Sequence, residues 1–387
     1  MRSLSLVAVV LVLPVLLFAH DGHDHPEVRL IRNPVQPAVT ASSPPSPVVL
    51  VGAVVLAIGV GVGICCVRRT GKPALVVALA LTVGLPIAIV GCSNANGDDK
   101  HPQTKHDAKQ LEELFANFKD DNVVFSSDET HFYIATNSFP SHPMMVGITA
   151  WQQQVPLPQP YTGRNSWKLP RKPVVAEKPI STKKAIFRGA IAVAVNGVPI
   201  FNALNNRGED AFLAGELDEY GGHCGRGDDY HYHTAPIHLE KTVGKGKPIG
   251  YALDGFPLYG YLDADGKEPK DLDEFNGRYE KDGTYRYYST RKYPYINGGL
   301  RGVVTVKNDQ IEPQPKDSPL RPAGNPLRGA KITKFERDDK KSQYILTYEL
   351  KGGTYTVKYT VADDRSVKFV FTDAKEKETT ETFRPRK

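Results

Sequence analysis

The sequence predicts a mainly β protein, sandwich-like or jelly-roll-like and rich in loops. A pair of transmembrane segments precedes this part, and an antiparallel β-meander follows it. Three observations lead to this prediction: apolar blocks fill the N-terminal quarter, Gly and Pro are frequent at 34 and 30 residues, and Tyr is unusually common at 18. Aromatic residues favour strands, whereas Gly and Pro favour the turns between strands.

Composition also limits the partners that we expect. The chain has 387 residues, enough for two or three domains, and a net charge of +6 from 49 basic and 43 acidic residues. This positive charge is small and is mixed with acidic residues along the chain. It does not form the concentrated basic patch that is typical of nucleic-acid binding, so we expect no nucleic-acid partner.

The first 19 residues have the pattern of a signal peptide. Arg2 precedes a long apolar run, and the run ends at the small residue Ala19. Residues 20–47 follow as a linker rich in His and Pro. Its short His/Asp tract either holds a metal loosely or is a solvated tail.

Two apolar segments, residues 48–67 and 73–92, are each long enough to span a bilayer. Arg68, Arg69 and Lys72 lie between them, and basic loops of this kind stay in the cytoplasm. Both outer ends of the pair then face away from the cytoplasm. We therefore expect a membrane-anchored protein whose globular part lies outside the cytoplasm.

The second apolar segment has an alternative interpretation as a lipoprotein signal. Ile89–Cys92 resembles a bacterial lipoprotein box, and Arg68–Lys72 resembles the basic region that starts such a signal. This interpretation requires translation to begin near Val67, and the mature protein would then be acylated at Cys92. The two-span hairpin and the lipoprotein both stay open.

The globular part begins with a tether and a short helix over residues 93–121. Leu111, Leu114 and Phe115 recur there at helical spacing. Residues 122–327 form the main domain, in which short β-rich and aromatic runs alternate with turn residues.

Residues 328–387 are predicted to form a small accessory domain. Polar and apolar residues alternate in Tyr344–Tyr348, Tyr355–Tyr359 and Val367–Phe371, with turn residues between these runs. Alternation with period two predicts a meander of three or four antiparallel strands. The region has no His or Cys, which argues against chemistry there.

The densest chemistry lies in Gly221–His233, where glycines and acidic residues precede Tyr-His-Tyr-His. On a strand, the two tyrosines point to one face, and His231 and His233 point to the other, about 7 Å apart. A glycine turn could return His223 as a third nitrogen ligand. Three imidazoles with an open position are typical of a catalytic or exchangeable metal site. The alternative is a structural polar network on a half-buried strand.

Further residues are candidates around such a metal. His142, Asp218 and Cys224 are candidates for a fourth ligand, although Cys224 is equally well explained as a small buried residue. His238 and Asp254 are candidates for orienting an imidazole by accepting its N–H, and Asp254 before a glycine is alternatively a turn residue. Cys224 is the lone cysteine of the globular part, so that part has no internal disulfide.

Several motifs follow one another in a fixed order. They are Asn196–Leu204, Glu216–His223, Tyr230–His233, Gly250–Gly260, Leu272–Arg278 and Tyr293–Tyr295. Together they resemble the YHYH-domain family, which is named for the tetrapeptide, over about residues 122–302. Ser138–Pro143 is similar to the family's early Pro-x-His-Pro element. The resemblance implies an exported bacterial domain with a metal site, and it supplies no reaction.

The sequence departs from the family pattern at two positions. The resemblance implies one cysteine where Phe275 stands and a second near Gly299, and both are absent here. Their joint absence fits a disulfide lost as a unit, and it leaves the histidine region unchanged.

Two classes of function follow from these residues. The first is a metal-dependent enzyme or metal carrier that uses zinc, copper or iron, the metals that imidazole-rich sites suit. The spacing from Gly225 to the His-x-His pair is also similar to the first motif of cupin jelly rolls, which is an analogy only. The second class is a non-catalytic cell-surface binding or scaffold module, in which the His/Tyr cluster is structural.

Overall fold

Strands supply most of the regular structure in the computed structural model, which describes residues 106–316 and 319–385. In chain order, the strands of these residues are β1 Val124–Ser127, β2 His131–Ala135, β3 Trp167–Pro170, β4 Val175–Ser181, β5 Ala190–Ala194, β6 Pro199–Phe201, β7 Gly222–Cys224, β8 Tyr230–Tyr232, β9 Gly250–Ala252, β10 Pro257–Tyr259, β11 Gly277–Tyr279, β12 Tyr285–Tyr288, β13 Gly299–Gly302, β14 Thr305–Lys307, β15 Gln310–Glu312, β16 Lys331–Asp338, β17 Gln343–Leu350, β18 Gly353–Val361, β19 Val367–Thr372 and β20 Glu378–Phe383. The helical elements are α1 Ala108–Ala116, α2 Glu240–Val243 and 3-10 turns at Lys119–Asp121, Gly163–Asn165, Ile237–Leu239 and Asp339–Lys341.

The predictions for the N-terminal segments fall on residues that the structure does not describe. These are the signal peptide at 1–19, the linker at 20–47, the apolar segments at 48–67 and 73–92, and the first part of the tether at 93–121. Within the described part of the chain, no helix combines the length and the apolar character that crossing a bilayer requires.

Helix α1 forms where the sequence predicts a short helix. Asp107 caps its start by accepting a hydrogen bond from the backbone N–H of Lys109 at 2.9 Å. Leu111 and Phe115 are its buried residues, and the Phe115 ring lies 6.3 Å from that of Tyr251 in β9. The apolar stripe of the helix therefore packs against the largest sheet.

The largest sheet has eight strands in the order β11-β12-β10-β9-β5-β6-β8-β7. Strand β5 lies inside the sheet, and all five of its residues are buried. Most neighbours are antiparallel, but β6 pairs with β8 and β10 with β12 in parallel. The mainly β, mostly antiparallel fold is confirmed. The mixed sheet differs from the predicted jelly roll, because a jelly roll is built from antiparallel strands in two sheets.

Buried tyrosines explain much of the unusual Tyr content. A buried hydroxyl requires a hydrogen-bond partner, and here that partner is repeatedly a carboxylate. Four buried tyrosines donate to carboxylates in this way: Tyr230 to Asp218, Tyr285 to Asp273, Tyr287 to Asp254 and Tyr288 to Glu280. Asp218 and Asp254 are buried as well. Phenylalanine at these positions would remove one donor from each carboxylate.

The C-terminal meander is confirmed, with five strands in the sequential order β16-β17-β18-β19-β20, all antiparallel. It packs on the preceding region: the Tyr359 hydroxyl donates to the carbonyl of Pro156 at 2.6 Å, and the rings of Tyr344 and Phe139 lie 4.8 Å apart. Both regions belong to one compact unit. The domain boundary between residues 327 and 328 stays a prediction.

The positions that correspond to the two absent family cysteines lie side by side. A Cβ atom added to Gly299 would lie 2.2 Å from Cδ1 of Phe275. The Phe275 ring therefore occupies the space that a side chain at position 299 would need. This adjacency fits the loss of both cysteines together.

Candidate metal centre

The Tyr-His-Tyr-His segment forms the second strand of a hairpin at one edge of the eight-stranded sheet. Strand β7 pairs with β8 in antiparallel register, so that His223 lies opposite His231. His233 follows directly after β8. Opposite residues of an antiparallel pair share a face, and so do alternate residues of one strand. The hairpin therefore brings all three histidines to one face, as the sequence predicts.

Glycine is required at two positions of this hairpin. A Cβ at Gly222 would lie 2.5 Å from the Tyr230 hydroxyl and 2.8 Å from the carbonyl oxygen of His231. A Cβ at Gly225 would lie 2.7 Å from Oδ1 of Asp229 and 3.0 Å from Cε1 of His231. These distances are too short for a side chain, so the glycines let the two strands and the turn approach closely.

The Nε2 atoms of the three imidazoles converge. Nε2 of His233 lies 3.1 Å from Nε2 of His231 and 3.0 Å from Nε2 of His223. The candidate ligand atoms of the three residues all lie within 4.8 Å of one another. The three rings therefore have a common focus.

The Nδ1 atoms of two of these rings face backbone carbonyls. Nδ1 of His231 lies 2.9 Å from the carbonyl oxygen of Asp229, and Nδ1 of His233 lies 2.5 Å from that of Asn202. A carbonyl oxygen only accepts, so each Nδ1 carries the hydrogen and donates it. Each Nε2 is thereby left to face the centre of the group.

The third ring also contacts the backbone, since His223 hydrogen-bonds to the backbone of Glu216. Burial and the neighbouring imidazoles lower the pKa of His223 well below its usual value. Burial, followed by the charge of His231, lowers the pKa of His233 to about 3. Both rings are neutral at pH 7, with one hydrogen each, and the hydrogen of His233 is on Nδ1. Nε2 of His233 is therefore an acceptor that lies 3.0 Å from Nε2 of His223.

A metal ion fits this donor set. Two imidazole nitrogens that bind one ion at 2.0–2.1 Å in tetrahedral geometry are separated by about 3.3–3.4 Å. The observed separations of 3.0 and 3.1 Å are within a few tenths of an ångström of that value. Hydrogen bonds from Nδ1 to backbone carbonyls also fix ring orientation at metal sites. The three histidines could therefore hold a metal ion, which would keep a coordination position open.

The open side of the group meets a cavity of about 290 Å³. Its lining includes the three histidines, a polar set of Arg188, Asn202, Asn205, Arg207, Glu216, Arg226 and Asp229, and an apolar set of Met145, Ile148, Trp151, Phe187 and Phe201. The size and the mixed lining suit a small molecule.

Two side chains of the cavity wall brace His231. The Phe201 ring stacks on the imidazole with centroids 3.9 Å apart and planes inclined by 14°. Oδ2 of Asp229 lies 3.4 Å from Nδ1 of His231, beside the carbonyl that Nδ1 already contacts. Both contacts fix the plane of the ring, so its Nε2 points at the common focus.

His142 does not join the three histidines. Its Nδ1 donates to the carbonyl of Pro143 at 2.9 Å, and its Nε2 lies 2.8 Å from the hydroxyl of Tyr232 on the opposite face of β8. Tyr232 donates this hydrogen bond and accepts another from Nδ2 of Asn196 at 3.0 Å. The residue that the sequence offers as a fourth ligand is thus satisfied within a separate network.

Asp218 is also placed with the tyrosines. Its Oδ2 accepts hydrogen bonds from the Tyr230 hydroxyl at 2.7 Å and the Met145 backbone at 2.8 Å, and Oδ1 accepts from the backbones of Tyr220 and Gly222. Burial raises the pKa of Asp218 to about 6. These four bonds occupy the carboxylate, so it is not directed at the histidines.

Cys224 lies opposite Tyr230 in the hairpin register and therefore points away from the histidine face. Its sulfur is not part of the converging ligand group. Burial raises the pKa of its thiol well above the usual value, which disfavours the thiolate that binds metals. The interpretation as a small buried residue fits this position.

The two candidates for orienting an imidazole also lie outside the group. His238 places its ring 4.9 Å from that of His142 and so belongs to the tyrosine face. Asp254 accepts hydrogen bonds from the Tyr287 hydroxyl at 2.5 Å and from the backbones of Phe256 and Gly302. Its side chain bonds the backbone of Phe256 two residues later, which is the bond of a turn residue. This agrees with the alternative interpretation of Asp254 as a turn residue.

Sequence reasoning missed the residues that hold the three rings in place. They are Phe201 and Asn202 at the end of β6, Glu216 before the hairpin and Asp229 in its turn. The sequence contained one signal for them: Phe201, Asn202 and Glu216 lie inside the motifs Asn196–Leu204 and Glu216–His223. Their roles depend on backbone carbonyls and ring stacking, which residue type does not reveal.

Comparison with known proteins gives one match. The family model described as YHYH protein matches residues 166–269, a narrower range than the resemblance over 122–302. Searches of curated proteins and of solved structures gave no match. The matched range contains the three histidines and the residues that hold them, whereas His142 lies before it. Over residues 166–269 the chain is similar to the YHYH family, and this match supports the resemblance that the ordered motifs carry.

Proposed function

We propose that this protein is a metal-dependent enzyme or metal carrier that holds one divalent transition metal on His223, His231 and His233. The observation that supports the proposal best is the convergence of the three Nε2 atoms, with that of His233 lying 3.0 Å from His223 and 3.1 Å from His231. Nδ1 of His233 donates its hydrogen to the carbonyl of Asn202, so Nε2 of His233 is an acceptor. A cation at the common focus would satisfy this acceptor together with the other two nitrogens.

Zinc, copper and iron are the metals that we propose for this site. Imidazole nitrogen suits all three, and among the described residues the converging group contains no thiolate that would favour a softer ion. Three protein ligands leave a coordination position for water or substrate, as in catalytic zinc sites. Because all three histidines line the cavity, this position is accessible to a small molecule, which favours an enzyme over a carrier.

We also propose that the protein is membrane-anchored, with the metal domain outside the cytoplasm. This proposal depends on the apolar segments at 48–67 and 73–92 and on the basic residues between them. Mass spectrometry of the mature N-terminus distinguishes the two-span hairpin from the lipoprotein. A peptide from residues 20–47 would rule out acylation at Cys92, whereas a lipidated N-terminal Cys92 would rule out the hairpin.

The metal proposal is tested by elemental analysis of the full chain. The protein is stripped with a chelator, offered zinc, copper or iron in turn, and freed of excess metal. We expect about one ion per chain in the wild type and none in the double variant His231→Ala, His233→Ala. His131→Ala is the control, because His131 lies in β2 outside the group and should leave metal content unchanged.

A different outcome supports the other class of function. The proposal would be contradicted if the wild-type chain retained none of the three metals and if adding metal did not change its unfolding free energy. The histidines would then be structural, and the protein would be a surface binding or scaffold module.

A further inference from the structure

We propose that the ligand of this site is a small organic anion. Its carboxylate or phosphate group binds between the metal and the guanidinium groups of Arg188 and Arg226, and its apolar body packs against the wall formed by Met145, Ile148 and Trp151. This inference rests on the proposed metal site and names the class of molecule that the site receives.

The charges that line the cavity support an anionic ligand. Three arginines and two carboxylates line it, and a bound divalent metal with neutral imidazole ligands would add two further positive charges. The two carboxylates are already engaged: Glu216 with Arg207, and Asp229 with the turn backbone at Gly227 and with His231. Neither carboxylate is free to neutralise a metal or the other arginines.

Arg188 and Arg226 differ from Arg207 in their contacts. Arg207 pairs with Glu209 at 2.7 Å and with the buried carboxylate of Glu216. Arg188 and Arg226 line the same cavity, and neither has an ion pair or a side-chain hydrogen bond with any residue that the structure describes. Arginine is suited to bidentate recognition of carboxylates and phosphates. Arg188 and Arg226 are exposed residues of the same cavity lining as the three histidines, so their guanidinium groups are available to an anionic group that enters it.

The apolar wall of the cavity favours a ligand whose body is apolar. Met145, Ile148 and Trp151 are each at most 3% exposed, so they form a fixed surface. The indole nitrogen of Trp151 donates to the carbonyl of Gln154 at 2.7 Å, which holds the ring in place. Because the cavity measures about 290 Å³, it suits a compact anion with an aromatic or aliphatic body.

Calorimetric titration of the full chain tests this inference with benzoate, phenyl phosphate and benzamide, in both the zinc-loaded and the stripped protein. We expect the stronger of the two anions to bind zinc-loaded protein at least about tenfold more tightly than neutral benzamide. The stronger anion identifies the head group as carboxylate or phosphate.

The double variant Arg188→Gln, Arg226→Gln should weaken this binding at least about tenfold with zinc content unchanged. Arg164→Gln is the control, because Arg164 is exposed and lies outside the cavity lining.

The outcomes separate this inference from the metal proposal. If zinc binds but benzamide binds as tightly as both anions, or the arginine variant binds them unchanged, the anion inference is overturned and the metal site stands. If no metal binds but an anion still binds in an arginine-dependent way, the anionic class is supported and the metal proposal is overturned. If neither metal nor anion binds, both are overturned.

Discussion

The two faces of strand β8 carry similar residues but differ in how their polar atoms are hydrogen-bonded. On the tyrosine face, Tyr232 bonds with His142 and Asn196, and Tyr230 bonds with Asp218. Every one of these contacts joins a donor to an acceptor. On the histidine face, the Nδ1 atoms are satisfied by backbone carbonyls, whereas the Nε2 atoms meet one another.

This difference distinguishes a structural polar cluster from a candidate ligand site. Both faces are buried and both contain histidines, so residue type and burial do not separate them. A closed network rigidifies the fold because every partner is present. Converging imidazole nitrogens are instead available to a cation placed among them. Metal affinity should therefore depend on the histidine face and not on the tyrosine face.

The largest expected effect is on metal affinity, in His233→Ala. Loss of one of three ligands should weaken metal binding by roughly 100- to 1,000-fold, as measured by competition with a chelator. The unfolding free energy of the metal-free protein should fall by about 2 kcal/mol, because a buried ring and its hydrogen bond to Asn202 are removed. An affinity within a few-fold of the wild type would show that the imidazoles do not bind the metal.

The second prediction concerns the ion pair that stabilises the turn between β7 and β8. Arg321 holds the carboxylate of Asp228 with two bonds of 2.7 Å in the hairpin turn, and both side chains are nearly buried. Arg321→Ala leaves that carboxylate without its partner and should lower the unfolding free energy by about 3 kcal/mol in urea titrations. Metal affinity should fall as well, because the neighbouring Asp229 contacts His231.

The control for that variant is Arg291→Ala. Arg291 pairs with Glu268 at 3.0 Å, but both side chains are about two-thirds exposed, and such pairs contribute little to stability. Its unfolding curve should match that of the wild type. If Arg321→Ala is destabilised while its metal affinity is unchanged, the turn is not what positions His231.

A smaller effect is expected from Tyr232→Phe, which changes the tyrosine face only. The substitution removes the hydroxyl that joins His142 and Asn196, and it takes this partner from Nε2 of the half-buried His142 and from Nδ2 of the buried Asn196. We expect a loss of about 2 kcal/mol in unfolding free energy and an unchanged metal affinity. A loss of metal affinity comparable to that of His233→Ala would show that the two faces are coupled.

The sequence predicted the two faces correctly because side chains alternate on a strand, and this alternation is a local property. It also offered the return of His223 by a glycine turn, because glycine permits the backbone conformations that a tight hairpin needs. It could not separate His142 and Asp218 from the three converging histidines, because each has a partner far away along the chain, such as Met145 at 73 residues from Asp218. The direction of Cys224 depends on its position opposite Tyr230, which only the hairpin register shows. His142 and Tyr232 are 90 residues apart, and only the folded chain shows that they are bonded.

The order of strands was beyond sequence reasoning for a related reason. Alternation identifies a strand but not its neighbour, so the parallel pairing of β6 with β8 could not be predicted. This pairing places Asn202, at the end of β6, beside His233 and supplies the carbonyl that orients its ring. The meander was predictable because its strands pair in sequential order through short turns.

The smallest expected effect is a dependence of stability on pH that comes from Asp254. This carboxylate repeats the arrangement of Asp218, because it accepts a buried tyrosine hydroxyl and backbone N–H groups, and burial raises its pKa to about 6. The folded protein therefore holds a proton that the unfolded chain, with its usual pKa of 3.8, releases. The stabilising contribution is lost as the pH rises through about 6.

The measurement compares the wild type with Asp254→Asn, which does not titrate. The difference between their unfolding free energies, measured on metal-free protein at pH 5 and pH 7, should change by about 1 kcal/mol, with the wild type losing stability at the higher pH. Metal affinity of Asp254→Asn should equal that of the wild type, because Asp254 contacts Tyr287, Phe256 and Gly302 and none of the histidines. Parallel stability curves for the two proteins would show that the carboxylate is ionised in the fold. The Tyr287 hydroxyl and the backbone donors would then outweigh burial at Asp254, and the same reasoning would apply to Asp218 on the tyrosine face.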